Sequence, residues 1–164
     1  MAVYLRVRLK RFAVRQTTLV QFAERVLSAV GESRSELSLE LTGDGRMRRL
    51  NREYRKKDRP TDVLAFPIRE AVMPGGVYPV THMLGDVVIS LPTAARQAKE
   101  AGRSIDDELA MLLIHGVLHL CGYDHERNPR EAVRMARRER AVLHRMSPVP
   151  RMITFRITRQ TRSR

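Results

Sequence analysis

An α+β or α/β fold, with helices packed around one small sheet, is what this 164-residue sequence predicts. Three observations carry that expectation. Short runs with strand character fall both before and between longer stretches of helical periodicity. The length favours one domain, since domains most often run to roughly 100–150 residues. Hydrophobic residues make up 43% of the chain but aromatic ones only 5%, with no Trp, so Leu, Val, Ile, Met and Ala must fill the core.

Along Val3–Leu9, apolar residues alternate with basic or polar ones, the signature of a half-buried strand. Thr17–Val30 has apolar residues at helical spacing, and Gly31 supplies the stop. Leu37–Leu41 alternates again and runs into Thr42-Gly43-Asp44-Gly45, read as a turn. A basic helix over Met47–Lys57 is closed by Asp58-Arg59-Pro60. Val63–Phe66 and Asp86–Ser90 are short apolar strands, separated by a loop from Met73-Pro74-Gly75-Gly76 through Thr81. Leu91–Ala101 and Ile105–Leu120 read as helices, and Pro129–Leu143 as a third with Pro129 in its first turn. Ile153, Phe155 and Ile157 alternate, so the end of the chain is open between a late edge strand and disorder. The division expected is a single domain over 1–147 and a basic C-terminal tail over 148–164.

Charge narrows the partners. Lys and Arg number 31 against 18 acids, a formal net charge of +13, which suits a polyanion. A generally basic, Arg-rich proteome would give the same balance. Residues 1–23 hold no acid, and 150–164 hold Arg151, Arg156, Arg159, Arg162 and Arg164 with no acid, so both ends can approach phosphates. The lone Cys121 excludes a disulfide scaffold and any Cys-based zinc finger. No run of about 18 apolar residues exists. The basic start lacks an apolar signal core, so the expectation is a soluble cytoplasmic protein without a membrane partner.

The most specific feature is His115-Gly116-Val117-Leu118-His119-Leu120-Cys121-Gly122-Tyr123-Asp124-His125, which holds three of the five histidines. Ser104 with Asp107 makes a capping box, and Asp106, Asp107 and Glu108 favour the positive helix N-terminus. His115 and His119 therefore share one helical face, with Cβ atoms about 5–6 Å apart. Gly122 can end the helix in a left-handed turn and let the chain bring His125 to the same metal ion. Three imidazoles plus water is the donor set of an open, catalytic zinc site, although nickel, copper and iron also accept imidazole. The bland alternative makes each histidine an ordinary core or surface residue, and His82 and His144 keep that reading. Cys121 suits a small packed position better than a fourth ligand. The spacing matches the metzincin motif H-E-x-x-H-x-x-G-x-x-H, except that Gly116 stands where the general-base Glu belongs. That argues against a peptidase.

The string HGVLHLCGYDH resembles the signature of the YbeY family, bacterial endoribonucleases and rRNA maturation factors. Two further blocks are similar to that family: Leu50-Asn51 with Tyr54-Arg55, Lys57-Asp58 and Pro60 through Pro67, and Leu84 through Ser90. Met135, Glu139, Val142 and Leu143 also fall at family-like spacing. The resemblance spans about residues 35–145; 1–34 match only in general pattern and 146–164 lie beyond it. It implies an α+β, zinc-hydrolase-like fold, a small mixed β-sheet of about four strands packed with about five helices. It also implies one zinc ion held by His115, His119 and His125, and Arg55 as the catalytic arginine. A guanidinium suits that task, because its fork can bind two phosphate oxygens on which charge builds. Either a metal-activated water or the strand's own 2′-hydroxyl can serve as nucleophile, and the sequence leaves both open.

Asp124 and Glu126 flank His125 and can orient an imidazole or shuttle a proton; Asp86 either faces the site or bonds the backbone. Asp58 and Asp62 suit chain turning, Tyr123 packing, and Lys57 a phosphate contact. The function implied is a metal-dependent endoribonuclease acting on single-stranded RNA, in maturation of the 16S rRNA 3′ end and in ribosome quality control. Its implied partners are rRNA and the ribosome or small-subunit proteins. Two rivals remain: a non-catalytic, zinc-braced ribosome assembly factor, and a metzincin-like peptidase lacking the usual Glu.

Overall fold

The computed structural model describes residues 2–68 and 82–156. The loop expected from Met73 to Thr81 lies outside them, as do Ile157, Arg159, Arg162 and Arg164.

The first alternating run forms β1 (Ala2–Val7), which pairs in parallel with β3 (Glu36–Thr42), Leu5 beside Leu39. Between them lie β2 (Phe12–Val14) and α1 (Gln16–Ala29). β3 pairs in parallel with β5 (Met83–Ser90), and β4 (Val63–Pro67) pairs antiparallel with β5, giving the order β1-β3-β5-β4. This is the mixed four-stranded sheet expected, with β1 and β4 as its edge strands among the described residues. Parallel neighbours need crossovers, supplied by α1 and by α2 (Asp44–Arg55) together with β4. Leu37, Leu39, Leu41, Val87 and Ile89 are fully buried, and each such side chain contributes about 1.5–3 kcal/mol of transfer free energy.

The remaining helices are α3 (Leu91–Ala101), α4 (Ile105–Leu120) and α5 (Pro129–Met146), five in all among the described residues. Each is N-capped by a side-chain oxygen: Ser90 accepts from the Thr93 N–H, Ser104 from Asp107, and Asn128 from Glu131. α4 is apolar nearly all round, as a central helix must be: Leu109, Leu113, Ile114 and Val117 are wholly buried between the sheet and the helices beside it. No helix among the described residues is long and apolar enough to cross a membrane.

Several boundaries differ from the sequence reading. Residues 44 and 45, expected in a turn, begin α2, because Gly43 sits extended at its N-cap and Asp44 anchors the first turn. The Asp44 carboxylate accepts from the Ser90 and Thr93 hydroxyls, each at 2.7 Å, and from Arg96 at 2.9 Å. Burial works to raise its pKa, and these donors outweigh it, leaving the carboxyl below its ordinary value. The same helix stops two residues early, at Arg55, because Lys56 turns left-handed at φ 59°, a geometry that costs roughly 1–2 kcal/mol. Asn51 braces that turn by donating to the Arg59 carbonyl at 2.8 Å.

After residue 148 the chain takes the late edge strand that its alternation left open. Ile153–Phe155 forms β6, paired antiparallel with β2, and the Phe12 and Phe155 rings meet at 5.0 Å. Met152 and Ile153 are buried in the core, and both their N–H groups donate to Asp106 at the start of α4. Residues 152–155 thus pack against β2 and the start of α4.

Candidate metal centre

α4 places the first two candidate ligands. His115 and His119 lie one turn apart on its exposed side, and their rings stand edge-on with centroids 4.6 Å apart. At the helix end Gly122 adopts φ 97° and donates to the His119 carbonyl, while the Tyr123 N–H donates to Leu118. This left-handed turn reverses the chain and brings His125 back over the same face. Its ring centroid lies 5.1 Å from that of His115 and 5.0 Å from that of His119.

The ring nitrogens converge. His119 Nε2 stands 3.1 Å from His115 Nε2 and 3.1 Å from His125 Nδ1, and one nitrogen from each ring lies within 4.8 Å of the others. For metal–nitrogen bonds of about 2.0–2.1 Å in a tetrahedron, neighbouring donors would sit roughly 3.3 Å apart. The donor set and its spacing therefore fit a single first-row ion, with a fourth side left for water or substrate. Zinc suits three neutral imidazoles, and other divalent metals share that preference. Burial, reinforced by the neighbouring imidazoles of His115 and His125, pushes the His119 pKa below its ordinary value. The neutral imidazole so favoured is the form that binds metal.

Glu139 completes the arrangement from α5. Its Oε1 lies 2.5 Å from His115 Nδ1, and a carboxylate there can only accept, so His115 keeps a proton on Nδ1 and presents Nε2 inward. In the sequence this residue had family-like spacing but no role. Beyond that spacing its signal was slight, one of two acids, with Glu131, in an arginine-rich helix.

Arg55, ending α2, shares with the three histidines a cleft of about 800 Å³. Its guanidinium donates to Glu126 Oε1 at 3.2 Å, and that oxygen lies 3.9 Å from His125 Nε2. Glu126 thus stands between the arginine and the third histidine. Asp124 lines the cleft but accepts from the Glu126 N–H at 3.0 Å, holding the turn instead of an imidazole.

Asp86 does not join the site. Alternation along β5 sends Val87 toward α4 and Asp86 to the opposite face, into a groove beside Glu40, Arg6 and Arg46. Asp58 and Asp62 take chain-turning parts: Asp58 accepts from Arg48 at 2.8 and 3.0 Å, and Asp62 from the Val63 N–H. Lys57 lines the cleft, and Tyr123 packs under the Arg134 guanidinium at 4.7 Å.

Gly116 explains the missing peptidase base. A Cβ there would lie 2.8 Å from Val87 Cγ1 and 3.3 Å from Val63 Cγ2. The helix rests on the sheet through this glycine, so the position has no room for a carboxylate side chain.

A family model described as Endoribonuclease YbeY matches residues 5–147. Over 141 residues the chain is 46% identical to the Endoribonuclease YbeY of Aquifex aeolicus, covering 86% of this chain and 90% of that one. Identity to its counterpart in Geobacter metallireducens is 49% over 136 residues, covering 82% and 89%. The solution structure of TM1509 from Thermotoga maritima shares the fold, with a TM-score of 0.58 at 24% identity across 87% of each chain.

Proposed function

The chain belongs to the YbeY endoribonuclease family, and from that premise we propose that it is a zinc-dependent endoribonuclease cutting single-stranded RNA. The observation that carries this reading is one cleft in which three imidazole nitrogens converge beside an arginine, with no room for the glutamate a metzincin needs.

In this mechanism His115, His119 and His125 hold the ion, and Glu139 fixes the orientation of His115. When bound, zinc supplies a Lewis acid and lowers the pKa of water. Arg55 grips two non-bridging oxygens of the scissile phosphate, where negative charge grows as the nucleophile arrives. Before substrate binds, Glu126 holds the guanidinium in the cleft; once phosphate displaces it, its carboxylate is free beside His125 to take up a proton.

Single-strand preference has support in the cleft wall. Tyr54, which is 64% exposed, meets Phe66 edge-on at 5.1 Å, and both line the site with Arg55 and Lys57. Aromatic faces beside cations accept unpaired bases, which a duplex keeps stacked inside. The +13 charge agrees with an RNA partner. The cellular task we assign is maturation of the 16S rRNA 3′ end and ribosome quality control, in contact with the ribosome in the cytoplasm. That assignment rests on the family resemblance.

The test is cleavage of end-labelled single-stranded RNA by zinc-loaded protein, with Arg55→Ala and His119→Ala purified in parallel. Wild type should cut, both variants should fail, and Arg55→Ala should still hold zinc. Equal cutting by all three would expose a contaminating nuclease. Tight RNA binding without any cutting would overturn the nuclease reading in favour of an assembly factor.

A further inference from the structure

We propose that the arginine face of α5 is a second RNA-binding surface, a track for the phosphate backbone on one side of the metal cleft. It rests on the RNA reading above and extends it from the reacting phosphate to its neighbours.

The surface is a groove of about 640 Å³ lined by Arg130, Arg134, Arg137, Arg138, Val133 and Tyr123. Arg130, Arg134 and Arg137 follow the i, i+4, i+7 spacing that stacks side chains along one helical face. All three are exposed. Arg138 is committed elsewhere, donating to the Ala29 carbonyl at 3.1 Å. Arg134 lies 3.3 Å from Glu131, whereas among the described residues neither Arg130 nor Arg137 is paired with a carboxylate. The row thus keeps most of its positive charge for a ligand.

Two features favour a nucleic-acid strand over an acidic protein. The first is continuity: Tyr123 lines both this groove and the metal cleft, so a strand seated at Arg55 can continue onto α5. Arg127, on the cleft side, adds a cation along that route. The second is orientation. The Arg134 guanidinium lies over the Tyr123 ring at 4.7 Å, which braces its plane and leaves the N–H groups not turned to Glu131 for a phosphate. From Arg130 to Arg137 the helix rises about 10 Å, the span of two or three phosphates on a stacked strand.

The experiment compares zinc-loaded wild type with the triple variant Arg130→Gln, Arg134→Gln, Arg137→Gln. Binding of a long, unstructured 2′-O-methyl RNA is followed by fluorescence anisotropy across a salt series. Each phosphate contact to a single strand contributes about 0.7 to the slope of log affinity against log salt, so three lost contacts should lower it by about 2. Between 50 and 200 mM salt, wild type should then lose roughly fifteen- to twenty-fold more affinity than the variant. In cleavage assays the variant should raise KM for long RNA with kcat unchanged, and cut a trinucleotide as well as wild type does. The corresponding triple Lys variant should restore the slope, because a point charge suffices for this contact.

An unchanged slope would overturn the proposal and leave the groove to an acidic protein partner. If wild type cuts RNA while the slopes agree, the track fails alone. If wild type cuts nothing but the variant's slope falls, the track stands and the nuclease reading fails.

Discussion

Replacing Glu139 with Gln and with Ala divides its contribution into charge and hydrogen bond. The contact at stake is the 2.5 Å pairing of Glu139 Oε1 with His115 Nδ1, in which both side chains are roughly two-thirds to three-quarters shielded from solvent. Glutamine keeps an oxygen that accepts the Nδ1 proton but removes the negative charge that makes the opposite nitrogen a better donor to metal. Alanine removes both, and the imidazole is free to rotate. Losing such a carboxylate partner typically weakens metal binding 10- to 100-fold. We therefore expect Glu139→Gln near the lower figure and Glu139→Ala near the upper, about 1.4 and 2.7 kcal/mol. Zinc affinity is measured by competition with a chromophoric chelator, beside thermal melts of the metal-free proteins. Those melts separate positioning from folding, because a purely structural role would lower the melting temperature and leave the affinity of the folded fraction unchanged. Wild-type zinc affinity in Glu139→Ala would refute the reasoning.

Two further outcomes test the packing and the electrostatics. Gly116→Glu, which restores the metzincin pattern in sequence, should yield no peptidase and should cost about 3 kcal/mol or more, through overpacking against Val87 and burial of a carboxylate. A drop in melting temperature of roughly 6–12 °C follows for a chain of this size, and a drop of under about 2 °C would contradict the clash. For the metal-free protein, the depressed pKa of His119 means that the unfolded state binds its proton first as pH falls. Its contribution to stability is thus full above the ordinary value of 6.5 and is lost as pH falls from there through the lower folded value. Melts from pH 8 to 5 should show this loss in wild type and a flatter profile in His119→Gln; identical profiles would exclude the assignment.

What could be read from the sequence was mostly what is local in it. The capping residues, acidic first turn and Gly122 stop of α4 all lie within a few residues of the helix, so the sequence defines both its ends. His115, His119 and His125 converge through one helical turn and one chain reversal, which spacing alone can describe. Glu139 was not legible as a partner because only the packing of α5 on α4 brings it to His115. Asp86 misled for a related reason. Its strand parity is evident, but which sheet face carries the site depends on where α4 docks. β2, three residues long, is too short for a period to register, and the alternation at Ile153 and Phe155 leaves β6 open until β2 lies beside it. Gly116 read as a missing base, and its positive role as the contact point between helix and sheet appeared only with Val87 in place.

The pairing of Phe12 with Phe155 bears on how the molecule is made. During synthesis the strands of the main sheet and all five helices leave the ribosome before β6 does, and N-terminal parts generally fold first. β2 must therefore wait, its Phe12 ring without its final cover, until Phe155 has emerged behind it. The N-terminal turn of the helix that carries His115 and His119 waits as well, since Asp106 receives Met152 and Ile153 only then. The histidines can assemble on a nascent chain, but the helix beneath them is locked at its far end by a segment translated more than 25 residues after His125.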